Sequence, residues 1–231
     1  MAFGTQWNRP SRSAWSHARV VTARARRGFT LIEMLVVVAI IVLITSVVLV
    51  NNNRFGGVVL LENLAYDVAL SVRQAQQYGI SVTGLSNPNF TAGYGMDFNM
   101  ASPGSYILFA DIPQNGVYNG LYNGSYACPQ TPTVGSEFVQ CSTISQGYGI
   151  IKLCVPAGTD AASCNAVSEF EVTFHRPEPD ANITIGGTPL VFGPDGHATN
   201  GQESARVVLQ SPRGDTMSVV IDINGQISVT K

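Results

Sequence analysis

The sequence predicts an α+β fold: a long N-terminal helix, apolar enough in its first part to cross a membrane, followed by a globular head that is mostly antiparallel β-sheet. Three observations predict it. Phe29 to Val50 is an apolar run of about 22 residues, which as a helix would extend roughly 33 Å and cross a bilayer. Apolar residues then recur at three- and four-residue steps from 58 to 79. Beyond residue 80, short runs rich in β-branched and aromatic residues alternate with clusters of Gly, Pro, Asn and Ser. Helix first and strands afterwards is the α+β order. The 231 residues divide into a basic leader (1–28), a membrane-spanning helix (29–50), a helix continuing into the head (51–79) and a β-rich head (80–231).

The leader holds Arg9, Arg12, Arg19, Arg24, Arg26 and Arg27 and no acid. The rest of the chain carries seven basic and fifteen acidic residues, a balance of about −8. Six arginines before the apolar run and only Arg54 close behind it predict a cytoplasmic N-terminus and an extracytoplasmic head. A cleaved secretory signal would have a shorter apolar core and a small-residue cleavage site after it. Here Val47–Val50 runs directly into Asn51-Asn52-Asn53. Met34–Ile44 contains no polar side chain, and Thr45 and Ser46 can return their hydroxyl bonds to the preceding turn.

One residue breaks the pattern. Glu33 places a carboxylate near the start of the apolar run, where it either snorkels to the interface or awaits a partner. The run Arg26-Arg27-Gly28-Phe29-Thr30-Leu31-Ile32-Glu33-Met34-Leu35 resembles the processing signal of type IV prepilins and type II secretion pseudopilins. In that family a basic leader ends in Gly, Phe or Met follows, and Glu is fifth in the mature chain. The resemblance implies cleavage between Gly28 and Phe29 by a membrane prepilin peptidase, then N-methylation of Phe29. Gly28 suits such a site because it has no Cβ to obstruct a protease. The resemblance also implies that Glu33 meets the Phe29 amine of a neighbouring subunit, relieving a desolvation penalty each charge bears alone. The implied partners are other pilin or pseudopilin subunits, the prepilin peptidase, an inner-membrane assembly platform and membrane lipid. The implied location is the bacterial inner membrane, single-pass, and then the filament. Many members carry a proline late in the apolar segment; here no Pro lies between Pro10 and Pro88. The helix is therefore expected to run straighter, or to loosen at Asn51–Asn53 and Gly56-Gly57.

In the continuing helix Leu60, Leu61, Leu64, Ala65, Val68, Val72 and Ala75 form one face, and Gly79 is the expected stop. Strands are expected at Tyr94–Phe98, Tyr106–Phe109, Phe170–Phe174, Ile183–Ile185, Leu190–Phe192, Arg206–Gln210, Met217–Ile223 and Gln226–Thr230. Asn224-Gly225 predicts a two-residue type I′ hairpin turn, and Pro194-Asp195-Gly196 a further turn. The helix from Leu64-Ala65 to Arg73-Gln74-Ala75, with the pattern Val191-Phe192-Gly193-Pro194-Asp195-Gly196, Val207–Leu209 and Gly225-Gln226-Ile227, resembles the GspH/FimT class of minor pilins and pseudopilins.

Four cysteines lie beyond the span. Three pairings are open, and the sequential one, Cys128–Cys141 with Cys154–Cys164, is favoured because it closes loops rich in Pro, Gly and Ser. A zinc site of four cysteines would need shorter knuckles. Asp111, Asn115 and Asn119 fall at spacings faintly like a calcium loop, but Pro113 and Tyr122 stand where ligands belong, so a β-turn is the leading reading. His175 and His197 have no metal-ligand companion at suitable spacing and read as surface or turn residues. No Gly-x-Ser-x-Gly elbow and no phosphate loop is present, so no cofactor and no enzymatic activity is expected. The acidic head argues against nucleic acid as a partner. The expected role is a structural filament subunit. The alternative is a minor or tip pilin that binds DNA, a surface or secreted cargo.

Overall fold

The computed structural model describes residues 28–81, 92–120, 128, 136–193 and 198–231. The backbone forms one helix and ten strands in the order α1 (Leu31–Ile80), β1 (Gly93–Asn99), β2 (Ser105–Asp111), β3 (Phe138–Thr143), β4 (Gly149–Cys154), β5 (Ala166–Val167), β6 (Glu169–Phe174), β7 (Ala181–Ile185), β8 (Ser204–Gln210), β9 (Thr216–Asp222) and β10 (Ile227–Thr230). Contacts divide the chain into two units, Met1–Val48 and Leu49–Lys231.

In the first unit the helix is apolar on every side. Leu31–Leu49, 19 residues, is long and apolar enough to span a membrane and has no buried position. Thr45 and Ser46 donate their hydroxyls to carbonyls in the preceding turn, Thr45 to Ile41 at 2.7 Å and Ser46 to Leu43 at 2.8 Å. Neither hydroxyl is thereby left bare in an apolar surrounding.

In the second unit, ten strands make two five-stranded antiparallel sheets. Sheet A runs β3-β2-β1-β6-β7 and sheet B runs β10-β9-β8-β4-β5. One hydrophobic core joins them to the helix. Leu61, Ala65, Val68, Ala69, Val72 and Ala75 come from α1; Met96, Phe98, Phe170, Val172 and Ile183 from sheet A; Leu153, Val207, Leu209, Val219 and Ile221 from sheet B. Each fully buried Val or Leu contributes about 1.5–3 kcal/mol. Small residues at 65, 69 and 75 keep the helix close to the strands. Polar bonds fix its rotation. Ser71 Oγ lies 3.2 Å from the Tyr106 hydroxyl, and the Gln76 amide donates to the carbonyls of Pro179 and Gly225 at 2.9 and 3.1 Å.

Several sequence expectations need correction. Of the two courses expected for the helix, straighter or loosened at Asn51–Asn53 and Gly56-Gly57, the second is not found, since it is continuous from Leu31 to Ile80. Leu60 lies outside the buried stripe, at 49% exposure. Gly79 does not stop the helix. It is buried one residue before the end, where a Cβ would lie 2.8 Å from that of Phe174 on β6, so it serves close packing. Leu190–Phe192 is not a strand; Phe192 makes only an isolated bridge to Ala198. The Asn224-Gly225 turn is a three-residue loop rather than type I′. The Gly225 amide donates to the Asp222 carbonyl at 2.9 Å, and Gly225 alone of the pair has positive φ, +77°. This is a type I turn closed by a left-handed glycine, the second common hairpin solution. The Pro194-Asp195-Gly196 turn lies outside the described residues. Strands β3, β4 and β5 are additional, and the expected antiparallel strands of the head divide between two sheets.

Candidate functional site

The residues singled out by the processing motif lie together at the start of α1. Gly28, Phe29 and Thr30 are exposed and non-helical, and among the described residues no heavy atom beyond its chain neighbours lies within 4 Å of where a Gly28 Cβ would be. Phe29 is 79% exposed. The peptide between Gly28 and Phe29 therefore precedes the first helical turn, where an extended backbone can enter a protease. The helix begins with a reciprocal cap. The Glu33 amide donates to Thr30 Oγ1 at 3.3 Å, while the Thr30 amide and hydroxyl both donate to Glu33 Oε2 at 2.9 Å. Such a capping box satisfies orphan amides that a helix end otherwise leaves bare. It also holds the carboxylate at the positive end of the helix dipole. The signal was present in the sequence, since Thr30-Leu31-Ile32-Glu33 has the cap spacing ahead of an apolar run. The reading of Glu33 as a lone intramembrane acid passed over it.

Residues 23–49 match the sequence profile of the prokaryotic N-terminal methylation motif. This is the processing motif carried by type IV prepilins and pseudopilins. No curated protein and no solved structure is significantly similar to it. The match covers the end of the basic leader, the Gly28–Phe29 junction, Glu33 and the apolar helix; it supports processing by prepilin peptidase, and the helix is long and apolar enough to anchor the chain in a membrane.

Elsewhere the chain has two disulfides, Cys128–Cys141, which ties the loop after β2 to β3, and Cys154–Cys164, which closes the loop after β4. Arg206, buried on β8, braces the second loop. Its guanidinium donates to the carbonyls of Ala157 at 2.8 Å and Gly158 at 3.1 Å, and to the Thr230 hydroxyl at 3.2 Å.

The Asp111–Asn119 stretch is a loop closed on itself. Buried Asp111 accepts from the amides of Asn115 at 3.0 Å and Gly116 at 2.8 Å, and its Oδ2 lies 3.2 Å from His175 Nε2. Asn119 donates to Glu137 through both its backbone amide and its side chain. Both Asp111 oxygens are engaged by this loop and His175, which is the chemistry of a turn. His175, expected as a surface or turn residue, takes part in the loop's closure. His197 lies outside the described residues.

The sequence reading missed the polar face that sheet A presents away from the main core. Asp97 on β1 and Glu171 on β6 are cross-strand partners there, 2% and 1% exposed, with Thr173 and Thr184 buried beside them. Alternation around Met96-Asp97-Phe98 and Phe170-Glu171-Val172 put these acids on the face opposite the core. Sequence alone gave no sign that a loop buries that face. Burial pushes the nearby Tyr118 phenol up to about 12, with Asp97 and Glu137 adding to the shift. Burial also raises Glu137 above the ordinary carboxylate range, despite its bonds from Asn119.

Proposed function

We propose that this chain is a structural subunit of a type II secretion pseudopilus or type IV pilus, of the GspH/FimT kind. After removal of residues 1–28, the N-terminal helix packs among the helices of other subunits in a filament. The N-terminus enters from the cytoplasmic side of the inner membrane, the head lies outside it, and an assembly platform drives incorporation. The carrying observation is the start of α1: an exposed, non-helical Gly28–Phe29 junction four residues ahead of Glu33, within the methylation motif. Cleavage would free the Phe29 amine, the one mobile cation near an apolar helix end. Glu33 of an adjacent subunit is then its natural partner, and burying both together costs less than burying either alone. A subunit outside the filament keeps its carboxylate occupied by Thr30 instead.

The role is structural rather than catalytic. Work comes from the assembly machinery, and the chain contributes register and surface. Glu33→Ala leaves cleavage intact and abolishes recovery in sheared filaments; normal incorporation of this variant would overturn the pairing. Replacement of Gly28 by a bulky residue leaves the uncut precursor in the membrane. The second reading, a tip subunit binding DNA, is disfavoured by the acidic head and is tested by a gel shift with the processed protein in detergent.

A further inference from the structure

Sheet A places two acids where water does not reach. Asp97 and Glu171 face each other across β1 and β6, and their carboxylates, with that of Glu169, have oxygens within 4.8 Å of one another. Like charges directly opposite on a sheet destabilise it, and burial increases the cost. Around Glu171 stand Asp97 from β1, Glu169 on its own strand and Thr184 from β7. Asp111, Glu137, Tyr118 and His175 belong to the neighbouring loop network on the same side of the sheet. Among the described residues, no Lys or Arg forms an ion pair with Glu171.

The hydrogen bonds count the protons. Thr184 Oγ1 lies 2.8 Å from Glu171 Oε2 and 3.2 Å from the carbonyl oxygen of Gly116. A hydroxyl has one proton, and a carbonyl can only accept. With Glu171 ionised, the one Thr184 proton goes to the closer carboxylate oxygen and the Gly116 carbonyl is left without it; with Glu171 protonated, its own O–H donates to Thr184 Oγ1, the Thr184 proton is free for Gly116, and both contacts are hydrogen bonds. Burial points the same way. It pushes Glu171 up to about 7, with Glu169 adding, even when Thr184 is taken as a donor to the ionised carboxylate, which lowers the value, as the Gly187 amide also does.

We propose that Glu171 holds a proton in the closed head, and that this proton clamps the loop after β2 to sheet A through Thr184 to the Gly116 carbonyl, making loop closure pH-dependent. Gly116 has a second anchor, its amide on Asp111 Oδ2, so losing the proton loosens the loop without unfolding the sheet. The sign follows from linkage. The folded-state affinity for this proton is raised, so the stabilisation is full below the unfolded carboxyl range, about pH 4.5, and is lost as pH rises through about 7.

The test uses the full chain in lipid bilayers. Infrared difference spectra of wild type minus Glu171→Gln should show a protonated carboxyl band that disappears with a midpoint near pH 7; a midpoint in the ordinary carboxylate range would overturn the proposal. Hydrogen exchange of the amides around Gly116, corrected for intrinsic rate, should lose up to about tenfold in protection per pH unit on the rise from about pH 4.5 towards the midpoint and level off above it. In Glu171→Gln, whose amide can donate to Thr184 at any pH, that loss should vanish. Thr184→Val, which removes the relay oxygen, should show low loop protection at every pH while keeping the carboxyl band. It decides the matter if the Gln variant fails to fold, and unchanged protection in it would refute the clamp.

Discussion

Residues 31–49 and 61–75 belong to one helix yet follow different rules. In the first stretch large apolar side chains are exposed all the way round, with Ile32, Val36, Ile40 and Leu43 as open as their neighbours. In the second, Leu61, Ala65, Val68, Val72 and Ala75 are buried while Glu62, Tyr66 and Asp67 face outward. The backbone is helical throughout, so the difference reports surroundings. A span bathed in lipid needs no polar face, because its medium is apolar in every direction. A helix against two sheets needs one dry stripe, and its other side is free to carry charge.

Three substitutions break or sharpen that contrast. Phe98→Ala empties a fully buried position of the shared core and should cost about 3–5 kcal/mol in denaturant unfolding of the head, leaving membrane partition unchanged. Ile40→Arg, in the middle of the span, should do the reverse: on the order of 3 kcal/mol against insertion, read as the membrane-bound fraction, with no change in head unfolding. If Ile40→Arg also unfolded the head, the two stretches would not be energetically separate. Gly79→Ala should cost about 1–3 kcal/mol through overpacking against Phe174, measured by thermal unfolding; a stabilised variant would show that helix propensity, not packing, governs this end.

Elements carried by local pattern were readable in the chain. The apolar run, the stripe on α1 and seven of the expected strands depend on periodicities of 3.6 and 2, which the side chains themselves display. The strand expected at Leu190–Phe192 has the right residues but, among the described residues, forms only the isolated bridge from Phe192 to Ala198. Strand β4 was missed because Gly149-Ile150-Ile151-Lys152-Leu153-Cys154 has no clean alternation; a register shift between Ile150 and Lys152 disturbs it. At Asn224-Gly225 the glycine takes the left-handed turn, but loop length is set by where β9 and β10 align, with Ile221 opposite Ile227. The processing site was legible as a motif; its cap, a neighbouring Thr and Glu, was equally local.

By itself, then, the chain's order of residues determined the long apolar helix, the methylation motif at its start and the alternation of its strands, because these depend on neighbours within a few positions. Only the tertiary structure decided that the head has two sheets around one core, that Gly79 lies against Phe174, and that Asp97 and Glu171 are sealed from water. Burial is a property of what lies across a gap in space, often scores of residues away, and a strand's own pattern says which sides differ without saying what will cover each.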